Sequence, residues 1–196
     1  METKDNFSPQ ESLAMIEGMI NKAKNNFTDD SFLYLLWGWV VFICSIGHFI
    51  MLKFTTWQHA EMIWMLTWVT VAIQIIYLVK KQKKERVKTY TDEIISYLWV
   101  TFGISMFMVS VIIARANTWV IMYPIVLMLY GIPTFLTGII MRFTPLKIGG
   151  IVCWVLSIIA TLIAPIYVLL LLAIAMLAAW IIPGYLLRAM FKKQTA

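Results

Sequence analysis

Apolar residues fall into long uninterrupted runs along this chain, and several exceed the roughly 18 residues that mark a membrane-spanning helix. Read against their polar punctuation, the runs predict six helices, at about Ser31–Leu52, Ala60–Val79, Glu93–Ala114, Thr118–Met141, Leu146–Ile163 and Pro165–Leu187. Ahead of them, Ser8, Pro9, Gln10 and Glu11 form a capping box with proline at the first helical position, where its missing N–H is harmless. Leu13, Ile16, Ile20, Ala23 and Phe27 then recur at steps of three and four, with Glu17, Asn21 and Lys24 on other faces. That pattern predicts an amphipathic interfacial helix ending near Asn25. The expected fold is all-α: an interfacial segment over residues 1–30, a bundle of six transmembrane helices over 31–187, and a basic tail over 188–196. The first apolar run follows a strongly polar segment, which does not match a removable signal peptide.

Composition sharpens the class. Of the 196 residues 61% are hydrophobic and 13% charged, and mean hydropathy is +0.82, which excludes an ordinary soluble domain. Cys44 and Cys153 sit inside apolar runs, where a thiol behaves as a small hydrophobe.

The net charge of +6 is unevenly placed. Fourteen of the 16 Lys and Arg residues fall before the first span, between spans two and three, between four and five, or in the tail. Only Lys53 and Arg115 fall elsewhere. Because cationic loops resist translocation, both termini are expected on the cytoplasmic side. The basic collar then faces anionic lipid headgroups, with a protein partner or a second copy of the chain also open, and nucleic acid is not expected as a partner. Within the collar, Lys83, Lys84 and Arg86 are the candidate cytoplasmic contact residues.

A weak repeat runs through the odd-numbered helices. Phe27, Thr28, Asp29 and Asp30 are echoed at an offset of 63 by Tyr90, Thr91, Asp92 and Glu93, and Phe143, Thr144 and Pro145 open helix five. Trp37, Trp99 and Trp154 each follow about ten residues later. The pattern suggests three parallel hairpins, although any helix start favours Thr followed by an acid or proline.

No Asp, Glu, Lys or Arg lies near the centre of a span, which removes the usual apparatus of proton pumps and voltage sensors. Tyr34, Trp37, Val41, Cys44 and His48 share one stripe of helix one. On helix two, Trp57, Glu61, Trp64 and Trp68 share a face, and Thr67, Thr70, Gln74 and Tyr77 form a polar stripe that should face other helices. Helix four carries Pro124 and Pro133 and helix six carries Pro183 with Gly184, each interior proline promoting a kink, and Tyr130, Pro133 and Thr134 of helix four are candidates for a hinge or, with the helix-two stripe, a polar path. An outer cluster is expected from His48, His59, Glu61 and Arg115. It lacks the spacing that aligns metal ligands on one helix face, so no metal or other cofactor is expected. Small residues at four-residue steps, Ala160 with Ala164 and Ala175 with Ala179, offer close helix packing. Nucleotide loops, nucleophile elbows and paired carboxylates are absent from the sequence, so a non-enzyme is expected.

The stretches Phe32 to Ile50 and Gly131 to Gly150 resemble a family of uncharacterised small bacterial membrane proteins with about six spans. The resemblance implies a bacterial inner membrane and no particular activity. Two functions stay open: a non-enzymatic sensing, regulatory or scaffolding module acting through its cytoplasmic face, or a small transporter or channel with a polar path between helices two and four. The orientation is testable by impermeant thiol labelling of single cysteines at Lys83 and at Trp57, in a chain lacking Cys44 and Cys153. Labelling from outside is expected at Trp57 only, and labelling at Lys83 only would reverse the topology.

Overall fold

A computed structural model describes residues 9–55, 59–84 and 90–192. Within them the chain is a multi-pass helical membrane protein. The helices are α1 (Pro9–Phe54), α2 (Met65–Lys84), α3 (Tyr90–Ala116), α4 (Met122–Ile140), α5 (Thr144–Ala160), α6 (Pro165–Met176) and α7 (Ile182–Lys192), with short 3-10 turns before α2 and α4. Five stretches are long and apolar enough to cross a bilayer: Ser31–Phe54, Ala60–Lys81, Tyr90–Ala116, Met122–Ile140 and Pro165–Met190. At 17 residues α5 is about 25 Å long, a little short of a hydrocarbon core of about 30 Å.

The first difference from expectation is at the amino-terminal end. No helix ends near Asn25, and Pro9–Phe54 is one uninterrupted helix of 46 residues. Residues 26–31 contain neither glycine nor proline, so nothing there breaks the backbone ladder. The second difference is in helix four, where Pro124 falls in the first turn and its missing N–H costs no helical bond. Pro133 is interior, yet α4 continues through it without a break at Tyr130, Pro133 and Thr134.

The irregularity lies in the last span, where Pro183 is also expected to promote a kink. Leu177–Ile181 is a π turn between α6 and α7, and the Ile182 N–H bonds the Leu177 carbonyl five residues back. Pro183 follows directly, and its ring would press on the carbonyl of Ala179 in an α-helix. The wider turn relieves that crowding.

Two connections close with the same device. At the end of α4, Arg142 takes φ 52°, Phe143 N–H bonds Gly138 O at 2.9 Å and Arg142 N–H bonds Ile139 O at 3.0 Å. This is a Schellman ending, which satisfies the last carbonyls and reverses the chain into α5. At the end of α3, Asn117 takes φ 52° and Thr118 N–H reaches Ile113 O.

Packing divides the molecule into a tight part and a loose part. The α4–α5 contact is the most extensive, followed by α1 with α6, and the π turn is wedged between α1 and α5. Backbones meet there: a Cβ on Gly149 would lie 2.5 Å from Ala179 Cα, and one on Gly150 would lie 2.8 Å from the Phe135 nitrogen. Ala175 and Ala179 are both fully buried, whereas Ala160 is buried and Ala164 is exposed at the α5–α6 turn. By contrast α2 packs on α1 and on its own 3-10 turn, α3 packs on α4, and α2 and α3 barely touch. Only 6% of the apolar window of each is buried, against 50% for α4 and for Pro165–Met190.

Gly150→Val should therefore cost about 1–3 kcal/mol by overpacking. Gly103→Ala on α3, where a Cβ meets nothing within 4 Å, should stay within about 0.5 kcal/mol of the parent. Denaturant or thermal melts in detergent compare them, and equal losses would contradict this division of the bundle.

Candidate functional site

The space between the loose helices is a cavity of about 470 Å³. Leu33, Tyr34 and Trp37 of α1 form one wall, Val71, Gln74 and Leu78 of α2 another, and Ile95, Ser96, Trp99, Val100 and Gly103 of α3 the third. Tyr130 of α4 and Trp180 of the π turn reach in from the tight part. Lys81 and Asp92 stand at the end of α2 and the start of α3, so the cavity mouth lies on the side where the chain passes from α2 to α3.

Aromatic rings build its inner end. Trp180 is the hub, with centroids 5.8 Å from Tyr34, 5.3 Å from Trp99 and 5.4 Å from Tyr130, each close to edge-on. Phe102 joins Trp99 at 5.6 Å and Tyr130 at 5.0 Å. Edge-to-face geometry at these distances adds to the burial of each ring. The Trp180 N–H is satisfied by Thr134 Oγ1 at 3.3 Å, which also gives that fully buried hydroxyl a partner.

A hydrogen bond joins two helices within the membrane-spanning part of this lining. Trp37 Nε1 donates to Gln74 Oε1 at 2.7 Å, linking α1 to α2. Indole N–H is only a donor, so the amide oxygen must face Trp37 and the amide nitrogen must point elsewhere.

The predicted polar path is thus divided by the structure. Gln74 and Tyr130 share the cavity. Thr67 and Thr70 donate to carbonyls of the preceding turn, Trp64 O at 2.6 Å and Leu66 O at 3.0 Å, and Tyr77 stacks on Phe32 at 5.0 Å. Pro133 and Thr134 are fully buried and do not line the cavity.

The expected outer cluster also separates. His48 is buried, receives the Trp64 N–H on Nδ1 at 3.0 Å and has Tyr123 Oη 3.3 Å from the same nitrogen. Since indole can only donate, Nδ1 is the acceptor and the ring proton sits on Nε2. These three side chains tie α1, the turn before α2, and α4 together. His59 and Glu61 meet at 3.4 Å but are 64% and 66% exposed, and Arg115 is exposed at the end of α3. Among the described residues no three His, Cys, Asp or Glu side chains gather to hold a metal. Of the basic contact candidates, Lys83 and Lys84 end α2 with their side chains undescribed, and Arg86, like Trp57, lies outside the described residues.

Of the α1 stripe grouped in the sequence, Tyr34, Val41, Cys44 and His48 are buried and Trp37 is half-buried, which makes the stripe the inward face. Trp180, Ser96 and Gly103 were missed. The signal for Trp180 was its position: it lies 15 residues after Pro165, far from the interfacial belt where tryptophan usually sits.

Fold and cavity together define a polytopic α-helical membrane protein with a cavity that opens between two loosely packed helices. No family model, curated protein or solved structure matches the chain, so nothing in these comparisons identifies a family of small bacterial membrane proteins.

Gln74→Leu removes the acceptor of the Trp37 N–H and is expected to lower stability by about 0.5–2 kcal/mol. Trp68, 72% exposed on another face of α2, should tolerate leucine with a change under about 0.5 kcal/mol. Unfolding in mixed micelles measures both, and equal tolerance would mean that α2 is rotated from the orientation described.

Proposed function

We propose that the protein is a non-enzymatic sensing or regulatory module of a bacterial cytoplasmic membrane, with both termini inside and the cavity between α1, α2 and α3 as its ligand site. The observation that carries this reading is the cavity itself. Its volume falls in the range of small-molecule sites, it is lined mostly by apolar and aromatic groups, and few polar groups converge on it. Its lining offers no imidazole or thiol, and its carboxylate and amine, Asp92 and Lys81, stand at the mouth away from the aromatic end. Binding is therefore better supported than catalysis.

Signalling follows from where the cavity sits. A ligand lodged between α2 and α3 favours whichever separation of the two helices it fits best. Their ends flank the basic segment containing Lys83, Lys84 and Arg86, so a change in separation reaches the surface that faces anionic headgroups or a protein partner.

A transporter is the second reading, favoured by one observation: Gln74 of helix two and Tyr130 of helix four line the same cavity. The ring cluster around Trp180 stands across its inner end, and a transported solute would have to pass it.

Gly103→Phe fills the cavity from a position with open space around it. The variant should insert and melt like the parent, but the amount of small apolar molecule extracted with the purified protein should fall at least fivefold by mass spectrometry. Unchanged content would remove the cavity as the site. Solute flux from reconstituted vesicles that the same substitution blocks would move the reading to transport.

A further inference from the structure

This inference rests on the cavity being the ligand site, and concerns what it binds. The Gln74 amide is held with its oxygen on Trp37 Nε1, and its nitrogen has no partner among the described residues. Ser96 Oγ, on the facing helix, likewise has no partner among the described residues. Both residues line the cavity, on facing helices, Ser96 four residues along α3 from Asp92 at the mouth. An amide nitrogen is only a donor, so the complementary atom at that place is an acceptor. It sits deep: Gln74 is seven residues, about 10 Å, along α2 from Lys81.

Three further features narrow the class. The side opening runs between α2 and α3 along membrane-spanning length, and its rim carries Leu78 and Val100, 37% and 55% exposed. A ligand that enters this way comes from the bilayer. Among the described lining residues the charges, Lys81 and Asp92, stand at the mouth, and the deep part holds no counter-ion for an ionic group. The inner walls are rings, which favour flat or slender apolar groups.

The geometry points to a neutral, lipid-soluble molecule that places a carbonyl oxygen against Gln74, with Ser96 on the facing wall as a second polar contact. That carbonyl has two common sources, a ring ketone and an acyl ester. Neither requires chemistry from the protein.

The test is titration calorimetry of the full chain in nanodiscs with four probes sharing a ten-carbon tail: a decyl benzoquinone, monodecanoyl glycerol, decylbenzene and decylbenzenesulfonate. Saturable binding of the quinone or the glyceride is expected, at least tenfold tighter than decylbenzene and the sulfonate, and the tighter of the two names the source. Gln74→Leu should weaken it about tenfold. Because that change also removes the bond to Trp37, Ser96→Ala, at an exposed residue with no partner among the described residues, is the second variant, expected to weaken binding several-fold without altering the melt. Equal binding of decylbenzene, insensitive to both substitutions but lost in Gly103→Phe, would overturn the carbonyl assignment and leave the cavity as a plain apolar site. Tighter binding of the sulfonate would overturn the neutral class. No saturable binding of any probe would overturn both the assignment and the cavity reading beneath it.

Discussion

Close approach of helix backbones is the constraint from which the rest of this structure follows. Lipid tails are as apolar as leucine, so helices in a bilayer gain little from burying apolar side chains and associate through packing and hydrogen bonds. Here that packing is concentrated where a side chain would not fit. Gly149 lies against the π turn, Gly150 against the backbone of Phe135 and Gly131, Gly138 against Lys147, and Gly38 against Trp180 and Ile181. These contacts hold α4, α5, the π turn and α1 as one tight unit. Neither α2 nor α3 has an equivalent seat in it. Gly47 on α1 meets the side chain of Ile63 in the turn before α2, and Gly103 on α3 faces open space. A cavity between two peripheral helices is what remains when packing is distributed this way.

The π turn connects the tight unit to the cavity. Pro183 cannot donate to the helical ladder, and the widened turn before it carries Trp180 to a place where its ring meets α1, α3 and α4 at once. Its N–H is held by Thr134 on α4, so the ring is fixed by a hydrogen bond as well as by packing. The inner end of the cavity is thus rigid, while its two outer walls lean on few contacts. Such an asymmetry suits a site that reports occupancy, because any movement on binding falls to the wall with the least packing to lose.

The class of fold and the approximate spans were legible because burial in lipid demands apolar length, which a sequence displays directly. The grouping of Tyr34, Trp37, Val41, Cys44 and His48 on one stripe of α1 and the inward turn of Gln74 were legible from helical periodicity. The joining of the first amphipathic stretch to the first span was not, because a polar interval between two helical patterns reads as a break even when no residue in it stops a helix. Trp64 was read with Trp68 as one face, yet His48 draws Trp64 inward through a partner on another helix. A disturbed helix at Pro183 was legible from its missing N–H, but its form was not, since tight packing on both sides of the chain left a wider turn as the way to fit the ring. Such outcomes depend on tertiary neighbours that local pattern does not contain.

The central claim is that α2 and α3 form movable walls on a rigid unit. Pulsed electron–electron distance measurements between spin labels at Leu78 and Val100, compared with a pair at Ile139 and Ile148 on the outward surfaces of α4 and α5, test it most directly in lipid. The account predicts a broad distribution for the first pair that narrows when the cavity is filled, either by ligand or by Gly103→Phe, beside a narrow and unchanging distribution for the second. Equally narrow distributions for both pairs, indifferent to the filling of the cavity, would contradict it.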